Sequence, residues 1–446
     1  MKPLLFLSLL ICLIACESSS SSQTLSVDEA DNSNQIVPVF TLHDDDTMDK
    51  NISSSGTTWS GWSGGYATIF YPLVRSLGIT ACLSMEGQRV GFTDETPCLN
   101  ENGRIVKHLQ DHYGWEIMAH SMTARYVNNV YAVESVESEL ANEILAHATY
   151  AGPTSMSSTC IYDRTHQKNY VVNASKTGWD ELPREYIRPY IMDYATNRVV
   201  AYNPTYPVDY QWKRFMELAQ HFGFDVNSGV MPAGTGSHAL CPLITPYLPN
   251  LFDVSSPLSF CNQPPLTTCV NRKTLESGSE TSLDNTYHPE ELEDLKRLVD
   301  ETYQQKGWVV FYLHTYRPCW HNAIDSELQS HGGSYPDEWV HPITDDDDIL
   351  SAIDTPPARL GITSWEQWYP CPGTRLRMVY DLINYAKERG LLNVNSKRGF
   401  KMFGNKYAQG FFAKGAQTGQ DVFGIEGTRD NYPHRVIGAD GTIDVF

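Results

Sequence analysis

The sequence lacks any apolar run long enough to cross a bilayer as a helix. The longest, within "MKPLLFLSLLICLIAC" at residues 1–16, stops short of the roughly 20 residues that such a span needs. Basic residues are scarce: 33 Lys and Arg stand against 53 Asp and Glu, a formal net charge of -20. That balance argues against nucleic acid and anionic membrane surfaces as partners. The 10 cysteines fall in none of the spacings of common zinc motifs. There is no residue-level repeat either, which excludes a solenoid.

What is present begins with an address. Lys2 followed by a short apolar core reads as a signal peptide. Leu13-Ile14-Ala15-Cys16 resembles the lipobox of bacterial lipoproteins, which implies that residues 1–16 form a lipoprotein signal and that Cys16 is lipidated. Residues 17–36 are polar, serine-rich and acidic, with nothing to bury, and read as a flexible tether. The expected place is therefore the bacterial cell envelope, in the outer membrane, with lipid as the only membrane contact. An exported chain meets oxidising conditions, so disulfides are allowed; Cys261 and Cys269 are the nearest-spaced pair, and the pairing stays open.

Residues 37–446 then repeat one pattern: amphipathic helix, glycine, short apolar strand. In "NGRIVKHLQDHYGWEIMAHS" Ile105, Val106 and Leu109 share a helix face, Gly114 stops the helix, and Trp115–Ala119 reads as a strand. "HPEELEDLKRLVDETYQQKGWVVFYLHT" does the same, with Pro289 at the helix start, Gly307 at its end and Trp308–Leu313 as the strand. "QWKRFMELAQHFGFDVNSGV" and "YPLVRSLGITACLSM" are weaker copies. Helices alternating with buried strands predict an α/β fold with a parallel sheet, as a barrel or an open wound sheet.

The unusual polar residues fall where such strands end. His43 to Asp46 follow "IVPVFTL", His120 follows "WEIMA", "MPAG" follows "FDVNSGV", and His314 follows "VVFYL". The C-terminal edge of a parallel sheet is where α/β proteins build active sites, because strand ends converge there while the loops vary.

These residues carry a family resemblance. The chain resembles the polysaccharide deacetylases of the NodB-homology class, carbohydrate esterases built on a distorted (β/α) barrel. Asp44-Asp45 match the family's strand-end aspartate pair, "WEIMAHS" with Glu116, Ile117, His120 and Ser121 matches its histidine motif, and "FYLHT" matches the late strand ending in His314. The match covers roughly residues 37–130 and 285–410. The middle is less clear, and long loops are expected, with a Trp-rich insertion at about 316–375. The resemblance implies a hydrolase that removes acetyl groups from a polysaccharide or oligosaccharide by metal-activated water. Asp44 would be the general base and His314 the general acid. Asp45 and His120 would hold a divalent metal, with zinc first and cobalt or nickel as alternatives.

Three departures stand out. Ala124 replaces the second histidine of the metal motif, Met231 stands where the arginine that braces the base belongs, and Asp46 replaces a glycine. A third metal ligand is then required; His43 ranks first, because it is neutral at pH 7 and suits zinc or nickel, followed by Asp46 and His238. Trp320, Trp365 and Trp368, with Trp339, read either as flat walls for sugar rings or as extra core. Two other functions stay open: a catalytically degenerate glycan-binding surface lipoprotein, for which Ala124 and Met231 speak, and, ranked below it, a barrel glycosidase, for which no second acidic residue has a comparable strand-end signal and Glu116 is the one carboxylate left open.

Overall fold

Each helix–glycine–strand unit closes locally, and the units add up to one sheet. The computed structural model describes residues 37–45, 65–93, 97–123, 129–153, 155, 157–230, 244, 246–248, 250–252, 270–276, 286–315, 342–343, 347–404, 435–437 and 443–445. The chain divides into two units, Met1–Val37 and Pro38–Phe446, and both large sheets belong to the second.

In chain order, β1 (Val39–Asp44) leads through α1 (Tyr71–Ser76) to β2 (Cys82–Met85), then through α2 (Glu101–Tyr113) to β3 (Glu116–Ala119). A β-rich excursion follows: β4 (Asn129–Val133), α3 (Glu139–Ala146), β5 (Thr159–Asp163), β6 (Lys168–Val172), β7 (Trp179–Glu181), β8 (Tyr190–Asp193) and β9 (Arg198–Tyr202). The chain returns by α4 (Phe215–His221) to β10 (Val226–Val230), β11 (Asn250–Phe252) and β12 (Val270–Thr274). It continues with α5 (Pro289–Gln305), β13 (Trp308–Leu313), α6 (Ile349–Asp354), α7 (Arg375–Glu388), β14 (Leu392–Asn393) and α8 (Ser396–Gly399), and a short antiparallel pair, Arg435–Ile437 with Ile443–Val445, follows.

The first sheet is a curled, parallel half-barrel in the order β11-β10-β3-β2-β1-β13-β12, with β14 paired to the lower end of β1. The fold class is thus α/β, and the curl is compatible with a distorted barrel. The excursion forms the second sheet, β7-β6-β5-β4-β8-β9, in which β4 runs parallel to β5 and β8 while hairpins supply the rest.

Local signals explain the helices. The Asn100 side chain caps α2 by accepting from Gly103 N, and Gly114 ends it at φ +66. Pro289 opens α5 as expected, but the left-handed residue at its end is Lys306 (φ +51), not Gly307. Gly307 follows it and donates to Thr302 O.

The half-barrel has two chemically different faces. Phe40 and Leu42 of β1, Leu83 and Met85 of β2 and Ile117 and Ala119 of β3 join the helices in the main apolar core. The alternate residues form a more polar inner layer, as period-two geometry requires. β1 also runs two residues beyond its apolar stretch, through His43 and Asp44, so the alternation sorts those two side chains to opposite faces. The segment after β14 packs on the inner layer: Phe400 lies 4.6 Å from Phe252 and 5.5 Å from Trp308, ring centre to ring centre. A Cβ on Gly399 would come within 2.3 Å of the Trp308 ring, so only glycine permits this approach.

Candidate active site

Asp44 ends β1 level with Leu313 of β13. Thr315 donates to it twice, from its backbone N–H to Oδ1 at 2.9 Å and from its hydroxyl to Oδ2. Burial pushes the carboxyl up to about 8, against the pull of the two Thr315 bonds and the positive potential of His314, while Asp45 adds a further push. A carboxyl perturbed by burial at the C-terminal edge of a parallel sheet is a candidate for a functional role.

His314 follows β13 directly. Its backbone N–H donates to Glu276 Oε1 at 2.7 Å, and its Nδ1 lies 3.0 Å from Glu276 Oε2. Glu276 comes two residues after β12, the next strand in the sheet. Asp44, His314 and Glu276 thus stand at the ends of three neighbouring strands. Thr315 lies inside "FYLHT" but nothing in that motif assigns it a role, and Glu276 sits in no recognisable motif; only the proximity of β12 to β13 in space reveals it.

Asp45 is buried, with its backbone N–H on Leu313 O. His120 is buried at the end of β3, its Nδ1 3.0 Å from the Val230 carbonyl. That contact makes Nδ1 the donor nitrogen and leaves Nε2 as the lone-pair nitrogen of the neutral ring, the arrangement typical of metal-binding histidines. β2 separates β1 from β3, so the two strands stand about 10 Å apart, and the register sets His120 one same-face step above Asp45. The loop behind His120 is firmly held. Ser121 adopts φ +62, an uncommon conformation for a non-glycine residue that collects at functional sites. The buried Gln211 accepts from Met122 N at 3.1 Å and Thr123 N at 3.3 Å.

His43 is not placed with Asp45 and His120. It points into the inner layer, where Nε2 lies 2.6 Å from Ser396 Oγ and the ring meets Phe252 edge-on at 5.1 Å. This corrects its assignment as third ligand: the strand continues through it, so its side chain sits one layer below the strand ends. Glu116 lies in the same layer. It accepts from Ser228 Oγ and from Lys397 N at 2.8 Å, with Cys82 Sγ at 3.6 Å. Burial pushes the Glu116 carboxyl up, and burial together with Glu116 pushes the Cys82 thiol well up. Its carboxylate is thus held on both sides by protein donors inside the inner layer.

Trp365 and Trp368 are also corrected. Both are almost fully buried in the main core, and Trp365 Nε1 donates to the carbonyls of Ala352 and Ile353 at 3.2 Å. A buried indole offers no face to a sugar. Trp320, Trp339, Asp46, Ala124, Met231, His238, Cys261 and Cys269 lie outside the described residues. Among the described residues Cys82, Cys98, Cys160 and Cys371 are free thiols.

Among the described residues, one group of three His, Cys, Asp or Glu side chains brings its ligand atoms within 4.8 Å of one another: Glu137, Asp163 and His166 in the second sheet. That group could hold a metal ion. Its geometry also has a local cause, because Asp163 closes the β5–β6 turn by accepting from His166 N, His166 Nδ1 and Val136 N. The expected set of His43, Asp45 and His120 does not form such a group.

Compared with protein-family models, curated proteins and solved structures, the chain matches none.

Proposed function

We propose that the protein is a hydrolase that removes acetyl groups from a polysaccharide or oligosaccharide, on a distorted barrel of the NodB-homology kind. The observation that carries this reading is the row of Asp44, His314 and Glu276 across three adjacent strand ends. It sets two proton-handling groups side by side, one of them oriented by a second carboxylate. Asp44 accepts the proton of the attacking water. His314, with its Nδ1–H committed to Glu276, acts as the imidazolium and gives its Nε2 proton to the departing amine or alkoxide, leaving the neutral Nδ1–H ring.

Burial holds the Asp44 carboxyl well above the ordinary carboxylate range, so its role as base requires a cation nearby. The donor set fits a divalent metal in part. Asp45 and the Nε2 of His120 are suited to zinc, with cobalt or nickel as alternatives. Asp46 or His238 would have to complete the set. A metal bound there would lower the pKa of its water and polarise the acetyl carbonyl. The same reading places the chain in the bacterial envelope as a lipoprotein anchored through Cys16.

The test is acetate release from a broad panel of N- and O-acetylated oligosaccharides, with zinc, cobalt or nickel added. Asp44→Asn should reduce release by about 10²- to 10⁴-fold. No release from any substrate, or release unaffected by Asp44→Asn, overturns the reading. Ala124 and Met231 favour one alternative, a glycan-binding lipoprotein without turnover. Glycan-array binding without acetate would select it.

A further inference from the structure

We propose that Arg375 is a positioning residue for this site, fixing the backbone from which Glu276 reaches His314. The proposal deepens the hydrolytic reading and rests on its choice of His314. α5 and α7 each precede a strand of the parallel sheet, so both helices start at the end where the strands finish. Arg375 is the first residue of α7, behind the cap Thr374, and is fully buried. Its Nη1 donates to the Leu275 carbonyl at 3.0 Å, and Nη1 and Nη2 grip the Glu291 carboxylate at 3.1 and 3.0 Å. Leu275 N in turn donates to Tyr312 O at 2.9 Å. The residue next to Leu275 is Glu276, whose carboxylate meets both the N–H and the Nδ1 of His314.

A guanidinium this deep persists only when paired. What matters is what this pair adds. Thr286 and Thr374 already join the two helix starts through a β-bridge, and Tyr287 N donates to Gly373 O at 2.8 Å. Arg375 is therefore not needed to bring α5 and α7 together. Its distinct contribution is the bond to the Leu275 carbonyl, made while Glu291 holds the guanidinium plane. Lysine has no planar fork and cannot make both contacts with the same geometry.

The readout is the tautomer of His314 in protein carrying ¹⁵N-histidine, with its signals assigned through His314→Gln and no substrate present. A carboxylate on Nδ1 holds the neutral ring in the Nδ1–H form. Glu276→Gln should shift the nitrogen signals away from that form. Arg375→Lys and Glu291→Gln should shift them the same way, by at least half as much, in protein whose far-UV circular dichroism is unchanged. Rates, where acetate is released, should fall about tenfold in kcat with KM within twofold. His314 signals that match the wild type in both variants would overturn the proposal. Should Arg375→Lys fail to fold, Glu291→Gln decides alone, because it loosens the fork at its partly exposed end. The signals are read without turnover, so shifted signals with no acetate from any substrate would sink the hydrolase and leave the positioning role standing.

Discussion

Gln211 shows how much of the site depends on residues that never touch the chemistry. Its side-chain oxygen accepts from Met122 N and Thr123 N, and its nitrogen donates to Glu185 O at 2.6 Å. Gln211→Leu leaves two buried backbone donors unsatisfied, which should cost about 2–4 kcal/mol. Urea unfolding measures it, and a loss under 1 kcal/mol would mean the loop finds other partners. Glu116 gives the clearest pH signature. Burial raises its folded pKa above the ordinary 4.5, with hydrogen bonds from Ser228 and Lys397 N opposing only in part. Its contribution to stability is full below pH 4.5 and is lost as pH rises through the folded value. Compared with Glu116→Gln, the wild type should therefore lose stability as pH climbs from about 4.5 toward neutrality. Parallel curves for the two proteins across that range would contradict the assignment.

At the scale of elements, the helix–glycine–strand units were legible because each is specified within about 30 residues by helical periodicity and a stop. The strand-end residues were legible for a related reason: Asp44, His120 and His314 each interrupt an apolar strand. The place of His43 was not legible, because its neutrality and fitness for zinc say nothing of direction, whereas β1 carries on through it and the alternation turns the imidazole inward. Trp365 and Trp368 were equally ambiguous, since an indole reads alike in sequence whether it faces a ligand or packs inside, as Trp365 does edge-on against Tyr71 at 6.2 Å. The second sheet was not legible at all. Its strands are three to five residues long and pair partly through hairpins whose turns use Gln167 and Asn197 at positive φ, without glycine to announce them. Glu276 stayed hidden because contact between neighbouring strands of a parallel sheet leaves no trace in local spacing. Gly399 is the element-scale test. Gly399→Ala pushes a methyl group into the Trp308 ring and should destabilise the protein by roughly 1–3 kcal/mol, seen as a lower thermal midpoint. An unchanged midpoint would mean the α8 segment does not pack on β13 as described.

For the whole molecule, a formal charge of -20 suits a neutral or cationic ligand better than an anionic one, and it raises the general affinity for cations. That background makes stoichiometry, and not weak uptake, the informative quantity. Two places are candidates for an ion: the strand ends with Asp45 and His120, as proposed above, and the turn with Glu137, Asp163 and His166, whose ligand atoms lie close enough to hold one. The central claim is that the strand ends form a metal-assisted site, and the direct measurement is elemental analysis of the wild type, His120→Ala and His166→Ala after equilibration with zinc and dialysis. The account predicts one zinc per chain in the wild type and in His166→Ala, and none in His120→Ala. Zinc retained by His120→Ala but lost from His166→Ala, or none in the wild type, would contradict it.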